Sequence, residues 1–99
     1  APHELLPAAL AACVSTTLVM YARTKHWSLD EVDVKVDYDQ RATPRRFEID
    51  IVVAGDLSPQ QLVMLEKVAA TCPVRRAIEN GSEVVERLEL RHAERAGAA

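Results

Sequence analysis

Ninety-nine residues, with twelve lysines and arginines against fifteen aspartates and glutamates, carry a formal net charge of −3. That bounds the chain to one small domain near the lower limit for a self-sufficient core, gives no electrostatic reason to bind nucleic acid, and leaves too few aromatics, at 4%, for base stacking. Two cysteines are too few to scaffold a secreted miniprotein, so the expected setting is a reducing cytoplasm with thiols that are either inert or reactive.

The first predicted element is a helix from Pro2 to Lys25. Pro2 suits a first turn, Glu4 complements the positive end of the helix dipole, and Arg23, Lys25 and His26 complement the negative end. From Leu5 to Ala22 no residue is charged, which is the length of a membrane span, and LAAC matches the cleavage box of a lipoprotein. Pro7, the many alanines and Ser15, Thr16 and Thr17 make the stretch too weakly apolar for a span. No basic segment precedes the cysteine, and the apolar run continues beyond it. A soluble core helix is the better reading, with no membrane partner. Because the run is apolar nearly all round, burial on most sides is expected.

SLDEVDVKVDYDQ changes the period. Val32, Val34, Val36 and Tyr38 alternate with Asp33, Lys35, Asp37 and Asp39, and RRFEIDIVVAGD repeats the alternation with Phe47, Ile49, Ile51 and Val53. The short RATP between them predicts an antiparallel hairpin, one face of which must cover the first helix. GDLSPQQLVMLEKVAATC then starts a second helix with Ser58 as N-cap, Pro59 in the first turn and Gln61 placed to close a capping box. Leu62, Leu65, Val68, Ala69 and Cys72 form its core-facing stripe. Pro73 restarts a short helix that Gly81 stops. SEVVERLEL reads as a final strand with Val84, Leu88 and Leu90 on one face, so residues 1–90 are predicted to be one domain and 91–99 a flexible tail.

His3, His26 and His92 lie in separate segments and form no ligand pattern, and no glycine-rich phosphate loop occurs; neither a metal nor another cofactor is expected. The chemistry rests on the cysteines. Two buried thiols are ordinary core residues. Alternatively, Cys13 and Cys72 approach across the core as a dithiol that cycles to a disulfide, which requires their Cα atoms within about 4.4–6.8 Å. Cys72, just before a helix start, has backbone N–H groups to favour a thiolate. Cys13, inside its helix, needs a nearby cation or donor, for which Arg75 and Arg76, or an arginine from a missing segment or a partner subunit, are candidates.

PHELLPAALAAC followed by TTLVMYA, a short KHW step, the alternating hairpin, GDLSPQQ and then CPV about sixty residues after the first cysteine resemble the OsmC/Ohr family of osmotically induced and organic-hydroperoxide-resistance proteins. The resemblance spans about residues 2–90 and corresponds to the C-terminal two-thirds of a typical member, the N-terminal β-meander having no counterpart in these residues. It implies an α+β fold in which central buried cysteine-bearing helices pack on an antiparallel sheet, and an intertwined homodimer with active sites at the subunit interface. It also implies that Cys13 is the peroxidatic thiol, Cys72 the resolving thiol, a small hydrophobic organic peroxide the substrate and an external dithiol the reductant. The family's thiolate-stabilising arginine belongs to the meander, and the position of its glutamate partner, ten residues before the first cysteine, holds His3 here, with Glu4 beside it. His3 is therefore the third candidate site residue, able to hydrogen-bond the thiol or help it ionise. The other class of function is a non-catalytic relative whose cysteines pack in the core around a small hydrophobic ligand.

Overall fold

A computed structural model of the chain describes residues 4–81, 83, 85 and 87–90. The order is α1 (Leu5–Lys25), β1 (Ser28–Asp39), β2 (Arg46–Asp56), α2 (Pro59–Ala69) and α3 (Pro73–Asn80). The fold is α+β, with α1 laid across one face of an antiparallel hairpin and α2 and α3 packed against α1.

The hairpin follows from its alternation. Val32 pairs with Val53, Val34 with Ile51, Val36 with Ile49 and Tyr38 with Phe47, so the apolar side chains of both strands share the face toward α1. The intervening positions, Asp33, Lys35, Asp37, Glu48 and Asp50, are exposed. Tyr38 and Phe47 stack with ring centroids 4.4 Å apart. At the far end a bulge between Leu29 and Glu31 brings Gly55 against β1 with φ +151°, where an added Cβ would lie 1.9 Å from the Ser28 carbonyl oxygen. Only glycine fits there.

α1 contributes Leu10, Val14, Leu18 and Ala22, spaced four apart, to the core. It ends where His26 turns into the left-handed region at φ 58°, its N–H reaching the Ala22 and Arg23 carbonyls. Burial on most sides, expected from its composition, does not hold within this chain. Leu5 is 70% exposed and Met20 62% exposed, because the hairpin, α2 and α3 all lie against one stripe of the helix and leave the opposite side open. By length and composition α1 could also cross a bilayer, a test that core helices pass as well.

α2 is punctuated as the sequence indicates. The Gln61 N–H donates to Ser58 Oγ at 3.1 Å, and the Ser58 N–H donates to Gln61 Oε1 at 2.9 Å, closing the capping box. Leu65 and Ala69 enter the core beside Cys72. α3 begins at Pro73 and stops at Gly81, whose φ of 74° a side chain would resist.

The expected final strand is absent from the described part of 82–90: residues 83, 85 and 87–90 adopt no regular structure, and Leu88 and Leu90 are fully solvated. The alternation there is real, but an isolated strand has unpaired backbone groups, and among the described residues only β1 and β2 pair. The tail at 91–99 lies outside the described residues, as does His3.

Candidate active site

Cys13 sits in the middle of α1, three residues after Leu10 and one before Val14, half-buried at the edge of the core stripe. Cys72 is the residue before Pro73, fully enclosed where α2 hands over to α3. Because α3 packs on α1, the two thiols meet; both are free. Proline at the first position of α3 and the apolar stripe of α2 bring Cys72 inward, and the helical register of α1 carries Cys13 toward it.

The surroundings treat the two sulfurs oppositely. The Cys72 S–H donates to the Cys13 sulfur, and the Val74 N–H, in the first turn of α3, donates to it as well; together they hold the Cys13 thiol below its ordinary pKa against the opposing effect of burial. The Thr17 hydroxyl adds a smaller contribution in the same direction. Cys72 is pushed up, first by burial and then by having its hydrogen committed to Cys13. The N–H groups of Arg75 and Val74 lie near enough to favour the Cys72 thiolate, yet the sulfur closes no capping bond of regular geometry, and burial outweighs them. The helix-start argument, which favours Cys72 as the better-ionised thiol, is therefore reversed.

The candidate cations do not reach the site. Arg75 Nε turns to Glu79 Oε2 at 3.5 Å, and Arg76 is exposed. Among the described residues, hydrogen-bond donors rather than cations favour the Cys13 thiolate. Sequence reasoning missed two of them, Thr17 and the Val74 N–H. The signal for Thr17 is its spacing, one turn after Cys13, and for Val74 its place as the second residue of a helix that starts at a cysteine.

A cavity of about 510 Å³ opens between the start of β2, the first half of α1 and α3. Leu10, Phe47, Ile49 and Ile78 supply apolar walls, with Arg45 and Arg75 beside them. Neither cysteine lines it.

A free, half-buried thiol with a lowered pKa therefore lies in hydrogen-bond contact with an enclosed thiol whose pKa is raised, on an α+β scaffold. Residues 1–87 match the family described as OsmC-like protein, and the chain belongs to that family. A crystal structure of a protein described as osmotic stress induced and detoxification response protein, from Psychrobacter arcticus 273-4, superposes with a TM-score of 0.66 at 28% identity. The superposition covers 78% of this chain and 58% of that one, so the chain spans little more than half of its structural neighbour. No curated protein matches the sequence.

Proposed function

We propose that the protein reduces organic hydroperoxides with Cys13 and Cys72 in a stress-defence role, as membership in the OsmC-like family and the stress-response neighbour suggest. The observation that carries the reading is two free thiols in contact with unequal access, Cys13 half-buried and reachable and Cys72 with no exposed surface; the lowered Cys13 and raised Cys72 pKa agree with it.

The chemistry follows from that asymmetry. The thiolate is the nucleophile. Cys13 S⁻ attacks the terminal oxygen of R–O–OH, the O–O bond breaks, and the alkoxide leaves with a proton as the alcohol, so the sulfur becomes a sulfenic acid and the peroxide is reduced by two electrons. The Cys72 sulfur, already in contact, then attacks the sulfenic sulfur; the hydroxyl departs with the Cys72 hydrogen as water, and a disulfide forms. An external dithiol returns both sulfurs to thiols by exchange and is itself oxidised. Cys72 cannot meet a peroxide first because it has no exposed surface. The apolar neighbours of Cys13 on α1 favour an alkyl or acyl hydroperoxide over hydrogen peroxide.

Two further parts of the reading rest on single features. The open apolar side of α1, with Leu5 and Met20 exposed, supports a homodimer in which a second copy covers it. The cysteine count, too low for a disulfide-scaffolded secreted protein, supports a reducing, cytoplasmic location.

The cavity that neither cysteine lines favours one alternative, a non-catalytic protein that holds a small hydrophobic ligand between β2 and α3. Counting free thiols after one equivalent of cumene hydroperoxide separates the two. The peroxidase reading expects both thiols to be consumed within one turnover. Retention of both, in protein that remains folded, sinks it.

A further inference from the structure

Two grooves open along the inner face of β2, and their linings differ in charge. α1 packs on β1, and the β2 side chains of Phe47 and Ile49 are only half-buried, facing a gap that α1 and α3 close from the other sides. Leu10, at 1% exposure, and the half-buried Ile78 of α3 complete the apolar wall. The resulting volume of about 510 Å³ falls within the usual range of small-molecule sites. A second groove of about 320 Å³ continues from Ile49 past Leu18, Ile51 and Leu65. Both offer a hydrocarbon surface. The first, however, also carries Arg45, Arg75 and Glu79, and the second carries Glu66.

Two guanidinium groups against one carboxylate leave the first lining with a single positive charge. That is a local exception in a chain of net charge −3 whose hairpin turns Asp33, Asp37, Glu48 and Asp50 outward on its other face. Arg75 gives its Nε–H to Glu79 Oε2 at 3.5 Å and keeps the other donors of its planar fork. Arg45, in the turn before β2, has no carboxylate within ion-pair distance among the described residues. Guanidinium groups match the planar, two-oxygen geometry of a carboxylate. A neutral hydrocarbon would leave them unused, and a doubly charged head would exceed the single charge the lining has to offer.

We propose that the cavity between β2 and α3 binds an amphipathic carboxylate, with its apolar tail on Leu10, Phe47, Ile49 and Ile78 and its head group on Arg45, assisted by Arg75. The site shares α1 and α3 with the thiol pair but not the sulfurs themselves, since neither cysteine lines it. Binding there needs no reaction at the thiols, so it stands or falls separately from the peroxidase reading.

The test is a titration of the full chain with sodium decanoate below its micelle-forming concentration, followed by amide nitrogen–proton NMR. Decan-1-ol supplies the same tail without charge, and decyltrimethylammonium supplies it with the opposite charge. Decanoate should give saturable shifts at Phe47, Ile49 and Ile78 and bind more tightly than either comparison ligand. Arg45→Gln should weaken decanoate roughly three- to tenfold, the effect of one charged hydrogen-bond partner reduced for solvent exposure, and should leave decan-1-ol unchanged. Glu79→Gln removes the opposing charge and frees Arg75, so it should tighten decanoate; Glu66→Gln, in the second groove, should do nothing. Equal affinity for decanoate and decan-1-ol overturns the proposal, as does an Arg45→Gln variant with undiminished decanoate affinity. So do shifts confined to Leu62 and Leu65 in the second groove, or to Leu6 and Met20 on the open side of α1. No peroxide enters this assay. Saturable decanoate binding in a protein whose thiols resist cumene hydroperoxide keeps the site and removes the peroxidase reading; peroxide consumption without decanoate binding does the reverse.

Discussion

The two cysteines are in hydrogen-bond contact yet live in different surroundings. Cys13 lies on the shoulder of a long helix, partly reachable, and receives hydrogen bonds from Cys72 and the Val74 N–H. Cys72 sits at the junction of two helices with no exposed surface and gives its hydrogen away. Position at a helix start is therefore a poor guide to which thiol ionises. The N–H groups of Val74 and Arg75 favour a Cys72 thiolate, but desolvation of an enclosed sulfur exceeds that benefit, while the Val74 N–H also serves Cys13 across the gap.

The sharpest way to break the comparison is to remove one sulfur at a time. Cys13→Ser should abolish peroxide consumption, because Cys72 cannot be reached. Cys72→Ser should permit one round of oxidation that stops at a sulfenic acid on Cys13, with multiple turnover lost. Peroxide-consumption traces and intact mass after a single equivalent distinguish the two. Equal activity in both variants would show that the asymmetry has no chemical consequence.

Leu65→Ala tests the enclosure of Cys72, since Leu65 is 3% exposed in the core cluster that contains it. Truncating a buried leucine costs about 2–5 kcal/mol. Urea unfolding should show that loss, and Cys72 should become alkylatable in the native protein while Cys13 labelling changes little. Met20→Ala, on the open side of the same assembly, should stay within about 0.5 kcal/mol of wild type in the monomeric chain.

The pH dependence sharpens the contrast without changing what surrounds the core. Cys13, lowered in the folded chain, binds fewer protons than in the unfolded chain between its native and ordinary pKa, so stability rises with pH in that window. Cys72, raised, binds more protons than when unfolded above the ordinary thiol value, so stability falls there. Urea midpoints measured across the thiol range should lose the rise in Cys13→Ser and lose the fall in Cys72→Ser. The same slopes in both variants would contradict the assignment of directions.

Ser58→Ala is the smallest of these effects and the control for remoteness. Breaking the capping box at the start of α2 should cost about 1 kcal/mol, seen as a lower urea midpoint, with the order of thiol reactivity intact. A change in that order would mean that α2 positions Cys72 more directly than the packing shows.

Much of this arrangement is legible in the sequence wherever the signal is local. Alternation of valines with charges sets the hairpin and its buried face, Ser58 with Gln61 marks the start of α2, and Pro73 and Gly81 bracket α3. The cysteine spacing, together with the turn chemistry, brings the thiols together. What escapes sequence reasoning depends on the third dimension. SEVVERLEL has the alternation of a strand, but alternation supplies no pairing edge, and its described residues remain irregular. Composition makes α1 look enclosed, whereas full burial is confined to the stripe at Leu10, Val14, Leu18 and Ala22, with Cys13 and Tyr21 half-buried beside it and Leu5 and Met20 exposed. The direction in which each thiol shifts is set by a balance of burial and the N–H groups at the start of α3, which lie more than sixty residues from Cys13 and which no spacing rule connects to it.

The most direct test follows the order of events at the two sulfurs. Reduced protein is mixed with one equivalent of cumene hydroperoxide, quenched at intervals with dimedone, and mapped by peptide mass spectrometry. Early quenches should place the adduct on the Cys13 peptide alone, and later ones should show a Cys13–Cys72 disulfide within the chain in its place. An adduct on Cys72 at early times, or two thiols that remain reduced throughout, would contradict the assignment of Cys13 as the attacking sulfur.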